Sequence, residues 1–149
     1  MDLILWRHAD AEDGADDLRR ELTAKGRAQA ARVAQWLLQH LSEDFEVVAS
    51  PADRAQQTAA ALTKDFKTEK QLAPGAPVPV ILKAAGWPGS KSRRTVVVVG
   101  HQPDLGRAAA HLLAGKQADW PLDKGGLWWL SNLSSGEWIV RAVLSPDLL

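Results

Sequence analysis

The run Thr95-Val96-Val97-Val98-Val99-Gly100-His101 is the stretch around which the rest of the chain arranges itself. Its first five residues are all β-branched and favour extended backbone. Side chains alternate between the two faces of a strand, so four consecutive valines leave neither face suited to water. The run therefore predicts a central strand in a parallel region, covered on both sides. It stops at Gly100-His101, a glycine followed by a titratable ring.

Two earlier segments share that form. Residues 3 to 6 are a short apolar run that ends in Arg7-His8, and Phe45 to Ala49 is another, closed by Ser50-Pro51. Between them, Ala9 to Glu21 carries Asp10, Glu12, Asp13, Asp16, Asp17 and Glu21 around Gly14 and reads as a solvated acidic loop. A functional reading of that run is a rim that screens substrates by charge. Thr23 is placed as an N-cap, and Ala30, Val33, Leu37 and Leu41 follow at helical spacing, predicting a helix from about 24 to 41. A second helix follows Pro51, carries Arg54 near its first turn, and runs to about Asp65. From Gln71 to Ser92 prolines and glycines predict mostly loop, with one short helix near Val80 to Ala85. Leu105 to Leu113 reads as a helix stopped by Gly115. Gly125 to Leu130 and Trp138 to Leu144 form a predicted hairpin around Ser134-Ser135-Gly136. Strands alternating with helices make this an α/β chain, a three-layer α/β/α arrangement whose mostly parallel central sheet ends in antiparallel strands.

Composition narrows the function. The chain has 149 residues, 46% of them hydrophobic, which suits one domain over 1–149. Eighteen basic residues balance eighteen acidic ones, so there is no global field to draw in nucleic acid or an anionic membrane, and any anion site must be local. Cysteine is absent, which removes disulfides and thiolate metal sites and suits a cytoplasmic location. The residues before Arg7 are too few for a signal peptide, and no segment has the length of a membrane span. Seven tryptophans are scattered over helix, loop and strand candidates, as core packing requires. Only the pair Trp128-Trp129 stands out, because alternation sends one ring to each face of the sheet.

Arg7-His8, Arg54 and His101 all follow the carboxyl ends of predicted strands. Ligands of open α/β sheets bind along that edge, so these four can converge there. Two arginines supply permanently charged forks for phosphate oxygens, and two histidines supply groups able to attack or donate near neutral pH. A metal site is the weaker reading, since no HxxxH or HxH spacing involves His8 or His101. No metal or cofactor is expected. His40, near a helix C-terminus, and His111, inside a helix, have bland roles at the helix end or surface. Lys91, Arg93 and Arg94 precede the central strand at the end opposite His101 and read as a solvated edge.

The order of motifs resembles that of the histidine phosphatase superfamily, whose fold is phosphoglycerate mutase-like. Leu3-Ile4-Leu5-Trp6-Arg7-His8-Ala9 resembles its Arg-His signature, and Leu22-Thr23-Ala24-Lys25-Gly26-Arg27-Ala28-Gln29-Ala30 its "LT..G..QA" helix start. Ser50-Pro51-Ala52-Asp53-Arg54-Ala55-Gln56-Gln57-Thr58 matches "SP..RA.QT", and Gly100-His101-Gln102-Pro103 matches "GH.P". The short overall length looks like the SixA branch, the small protein-phosphohistidine phosphatases. This resemblance implies that His8 attacks phosphorus and carries a covalent phosphohistidine, that Arg7 and Arg54 hold equatorial oxygens, and that His101 stabilises the transferring group. Arg20, just before the "LT" motif, and Gln102 are implied as substrate-binding. The implied partner is a histidine-phosphorylated signalling or phosphotransfer protein, or else a small phosphorylated molecule.

One departure bears on the substrate. Larger members carry a carboxylic acid between the second helix and the central strand, whereas Gln71-Leu72-Ala73-Pro74-Gly75-Ala76-Pro77 offers none. An alkoxide leaving group needs such an acid, but an imidazole can be protonated before it departs. The missing acid therefore favours phosphohistidine over a phosphate ester. Asp10, Glu12, Glu69 and Asp104 remain candidate donors for an ester phosphatase. A non-catalytic phosphoprotein-binding module is the reading from another class, although a binder has no need of the nucleophile.

Overall fold

The structure is a computed structural model that describes residues 1–89 and 93–149. Its single sheet contains β1 (Asp2–Arg7), β2 (Glu46–Ala49), β3 (Lys67–Thr68), β4 (Thr95–Gly100), β5 (Leu127–Asn132) and β6 (Trp138–Leu144). Across the sheet the order is β3-β2-β4-β1-β5-β6. The valine strand β4 lies between β2 and β1, parallel to both, and Val96 to Val99 are all buried. Strand β5 runs antiparallel to β1, and β6 antiparallel to β5, as the predicted hairpin requires.

Strand alternation divides the core in two. Leu3, Leu5, Val96 and Val98 face α3 (Val78–Ala84) and α4 (Asp104–Ala114), and pack with Ile81, Leu82, Leu105 and Ala108. Ile4, Trp6, Val97 and Val99 face α1 (Ala24–His40) and α2 (Asp53–Leu62), and pack with Val33, Leu37, Ala55 and Ala59. Burying each such aliphatic side chain contributes roughly 1.5–3 kcal/mol, so the apolar layers on both faces hold the strands in register. Trp128 and Trp129 follow the same rule, and helices cover both faces. Trp128 stacks on Trp120 with ring centroids 5.5 Å apart, while Trp129 meets Trp36 edge-on at 6.0 Å.

Most boundaries fall where the sequence pattern puts them, and the helix expected near residues 80–85 spans Val78–Ala84. Thr23 caps α1, its Oγ1 accepting from the Gly26 amide at 2.9 Å, and Gly115 closes α4 in the left-handed region. The second helix stops at Leu62, short of Asp65. Strand β3 has no apolar pattern to announce it, since Lys67 and Thr68 are held by backbone pairing to Val48 and Ala49. The acidic loop is more ordered than its composition suggests. Ala11 bridges Leu22, and Asp17–Arg19 form a 3₁₀ turn. Of the basic cluster, Lys91 lies outside the described residues, while Arg94 pairs with Glu46 at 2.8 Å.

Two glycines permit the close approaches that set up the upper edge of the sheet. A Cβ on Gly26 of α1 would overlap the Asp10 carbonyl oxygen, and one on Gly106 of α4 would overlap that of Trp120. Helix α1 is thereby pressed against the segment that follows His8, and α4 against the segment around Trp120, which continues to Gly125 and Gly126 at the end of β1.

Candidate functional site

Three strand ends meet at the carboxyl edge of the sheet. The His8 amide donates to Gly100 O at 3.0 Å and the Ser50 amide to Val99 O at 3.0 Å, so the ladder continues one step past the strands. That step sets His8, Ser50 and His101 side by side. Arg54, the second residue of α2, reaches in from the helix start and is almost fully buried.

Within this pocket the polar atoms are closely matched. His8 Nδ1 lies 2.7 Å from Ala9 O, an acceptor only, so Nδ1 carries the proton and Nε2 keeps its lone pair. Arg54 Nε donates to that Nε2 at 3.3 Å. Arg54 Nη2 lies 3.5 Å from His101 Nδ1, which makes Nδ1 the acceptor and leaves His101 Nε2–H to donate to Ser50 Oγ at 2.7 Å. The two imidazole centroids are 5.1 Å apart. Arg7 Nη1 donates to Leu122 O at 2.7 Å, while its buried Nε has no partner among the described residues.

Burial and positive charge act together here. Burial, with Arg54, Arg7 and Arg20 adding to it against the Ala9 hydrogen bond, pulls His8 down to about 4. Burial, then His8 and Arg54, pulls His101 down to about 3. Both rings are therefore neutral at pH 7, and His8 presents an unprotonated nitrogen to a cationic surround. Such a site can hold an oxyanion against Arg54 and attack it from His8.

The glutamines and threonine of the "SP..RA.QT" stretch hold the backbone around the pocket. Gln56 Nε2 donates to Ser50 O at 2.7 Å, Gln57 Oε1 accepts from the Leu22 amide at 2.8 Å, and Thr58 Oγ1 accepts from the Ala9 amide at 3.1 Å. Gln29 of α1 accepts from the Asp10 amide at 3.0 Å. Four side chains on two helices thus pin Ala9 and Asp10 just after His8, Ser50 ahead of Arg54, and Leu22 before α1, which is a physical reason for the spacing of those motifs.

The structure brings Arg7, His8, Arg54 and His101 together. Arg20 lies at the rim, where its Nε donates to Glu12 O at 2.8 Å and its Nη1 to Asp17 Oδ1 at 3.1 Å. Gln102, expected against the substrate, has its carboxamide engaged by backbone. Nε2 donates to Trp120 O and Oε1 accepts from the Gly106 amide, each at 2.8 Å, satisfying one of the free amides at the start of α4. His40 Nδ1–H donates to Trp36 O at 2.7 Å and its ring stacks on that indole, and His111 is exposed on α4. No group of three or more metal-binding side chains occurs among the described residues.

The candidate acids are held elsewhere. Asp10 takes Thr23 Oγ1 at 2.8 Å and Lys124 at 2.9 Å, and these bonds keep it below the usual carboxylate range. Glu69 caps its own 3₁₀ turn, and Glu12 is exposed. Asp104 is buried, and its Oδ2 accepts from the amides of Gly75 and Ala76 at 2.9 and 3.1 Å, tying the Pro-Gly segment to α4. Burial pushes its carboxyl up in spite of those two bonds. Sequence reasoning missed Ser50 and Asp17 as pocket residues. Ser50 follows a strand end, as the four expected residues do, and Asp17 stands three residues before Arg20, but a hydroxyl and one of six acidic residues in a loop carry little signal alone.

The model of the histidine phosphatase superfamily (branch 1) matches residues 3–75. An uncharacterized protein of Picosynechococcus sp. is 37% identical over 126 residues, 78% of this chain and 75% of that protein. The chain belongs to the histidine phosphatase superfamily. A phosphohistidine phosphatase SixA homolog of Haemophilus influenzae is 27% identical over 150 residues, covering 90% of this chain and 92% of its own. The structure of the protein histidine phosphatase SixA complexed with tungstate superposes with a TM-score of 0.81 over 99% of both chains at 24% identity, which fixes the phosphoglycerate mutase-like fold. The chain is thus a phosphatase of this superfamily, and no helix among its described residues is long and apolar enough to cross a membrane.

Proposed function

We propose that this phosphatase hydrolyses protein phosphohistidine without a metal, through a phosphoryl group carried on His8. The observation that carries the reading is the state of His8, with Nδ1–H fixed on Ala9 O and the Nε2 lone pair facing Arg54. In the first step Nε2 attacks phosphorus and the P–N bond to the substrate ring breaks. In the second, water attacks phosphorus and His8 departs as a neutral imidazole, its Nδ1 proton still in place. Arg7 and Arg54 bind the equatorial oxygens, and His101 takes part once the arriving phosphoryl charge offsets the surrounding positive charge. Arg20 contributes at the rim, and the substrate is a histidine-phosphorylated protein of the cytoplasm.

The engagement of Asp10 and Glu69 by other groups supports a leaving group that needs no strong acid. One observation favours the ester reading. Burial pushes the Asp104 carboxyl toward its protonated form, three residues from His101, in spite of the bonds its Oδ2 accepts from Gly75 and Ala76. The discriminating assay compares kcat/KM for a histidine-phosphorylated protein with that for a panel of small phosphate esters, with and without chelator. Preference for the phosphoprotein in both conditions is expected. Strong ester preference defeats the reading.

A further inference from the structure

The acidic run from Asp10 to Asp17 is mostly solvated, but its last carboxylate reaches the pocket. Asp17 is exposed on the 3₁₀ turn, yet it engages the innermost arginine. Its carbonyl oxygen accepts from Arg54 Nη1 at 2.6 Å and its Oδ2 from Arg54 Nη2 at 3.1 Å, while Oδ1 takes Arg20 Nη1 at 3.1 Å. The Arg54 guanidinium therefore spans the pocket, with Nε at His8 on the inner side and both terminal nitrogens at Asp17 on the outer side. A phosphoryl group attacked by His8 has to lie against the same guanidinium. In an in-line displacement the leaving group departs away from His8, toward the mouth where Asp17 stands.

The chemistry on the inner side indicates what the outer side requires. Transfer from phosphohistidine to His8 exchanges one imidazole for another. The bond from phosphorus to the substrate ring breaks, with its electron pair going to that ring nitrogen, and a bond to His8 Nε2 forms. Each ring keeps a proton on its other nitrogen. On the enzyme side that N–H has Ala9 O as its acceptor at 2.7 Å. The protonated substrate ring needs an acceptor of its own. Hydrogen bonds from Arg20 and then Arg54 hold the Asp17 carboxyl below the usual range, so it stays ionised there.

We propose that Asp17 is a specificity-determining residue, which engages the outer nitrogens of Arg54, yields them to the phosphoryl group, and then accepts the ring N–H of a departing imidazole while repelling an anionic leaving group. This rests on the phosphohistidine reading and extends it to a residue outside the four at the strand and helix ends.

Phosphoimidazole and p-nitrophenyl phosphate are both small and differ in this respect, since one releases imidazole and the other a phenolate. In the full chain, Asp17→Asn is expected to lower kcat/KM for phosphoimidazole by about tenfold, the worth of one charge-assisted hydrogen bond. The same variant should leave or raise kcat/KM for p-nitrophenyl phosphate, and inorganic phosphate should inhibit it more tightly because Arg54 has lost an internal competitor. Asp17→Glu, which keeps the charge, should hold the wild-type preference, and Asp16→Asn, at a carboxylate that pairs with Arg19 at the surface, should change neither rate. An unchanged ratio of the two rates in Asp17→Asn, or an equal loss on both substrates, overturns the proposal. Those results leave wild-type turnover of phosphoimidazole intact, whereas failure of the underlying reading shows as a wild type that hydrolyses the ester and not phosphoimidazole.

Discussion

Arginines stand at both ends of the sheet, and they differ in what they hold. At the amino ends of the strands, Arg94 pairs with Glu46 and Arg141 with Asp2, each partly exposed and each matched to one carboxylate. Arg141 also lies over the Trp129 ring at 5.1 Å. They line a broad groove of about 900 Å³ with no histidine among its described lining residues. At the carboxyl ends, Arg54 is buried against two neutral imidazoles, and Arg7 donates to the Leu122 carbonyl oxygen with no carboxylate paired to it among the described residues. A broad groove is therefore not what marks the site. The useful distinction is between arginines neutralised one for one and arginines held in a buried pocket whose outer face is covered by an exposed carboxylate. The first arrangement ties elements together at the surface, and the second leaves charge that an incoming oxyanion can take up.

The sharpest way to break that contrast is to remove one arginine from each end. Arg54→Ala should lower kcat/KM by about 10²–10³-fold, the loss typical of a preorganised donor to transition-state charge. Arg54→Lys should recover little, because a point charge cannot span His8 and the phosphoryl oxygens together. Equal kinetic losses in Arg54→Ala and Arg94→Ala would remove the distinction between the two ends.

Acid should expose the carboxyl end next. His8 and His101 titrate near 4 and 3 in the folded chain, against about 6.5 when unfolded. Below pH 6.5 the unfolded chain binds more protons, so stability is present above that pH and falls as pH drops toward 4 and then 3. Between pH 6.5 and 5 the loss is on the order of 2 kcal/mol per histidine. Urea denaturation at the two pH values should show it, and His101→Gln should flatten the slope. A slope unchanged in that variant would mean that His101 is not the buried neutral base described.

The two sides of the carboxyl edge were unequally legible from sequence. Strand ends mark Arg7, His8 and His101 because a β-branched run and its abrupt stop have one simple reading, and the helix start after Pro51 marks Arg54. Side chains that work on backbone leave a weaker trace. Gln102 looks like a ligand residue by its place beside His101, yet its carboxamide bridges Trp120 and Gly106, a pairing that depends on residues up to eighteen positions away. Strand β3 was equally silent, since two polar residues held by backbone bonds have no periodicity to read. Asp17 had five acidic neighbours in its loop to hide among, and only the fold of the 3₁₀ turn singles it out.

Asp104 tests the backbone-directed class with a smaller effect. Asp104→Ala leaves the amides of Gly75 and Ala76 without their acceptor and should cost about 1–3 kcal/mol in thermal or urea denaturation. A variant as stable as the wild type would show that this segment is held by other contacts. Smallest of all, Arg94→Ala should cost about 0–1 kcal/mol, as exposed ion pairs do, with kcat/KM unchanged.

The central claim is that His8 Nε2 takes the phosphoryl group. Its most direct test is to mix the enzyme with a histidine-phosphorylated protein, quench in alkali during the first turnover, and map the phosphoryl adduct by mass spectrometry. A transient adduct confined to His8, lost together with phosphate release in His8→Ala, is the predicted result. Phosphate release that proceeds without an adduct on His8, or that persists in His8→Ala, would contradict it.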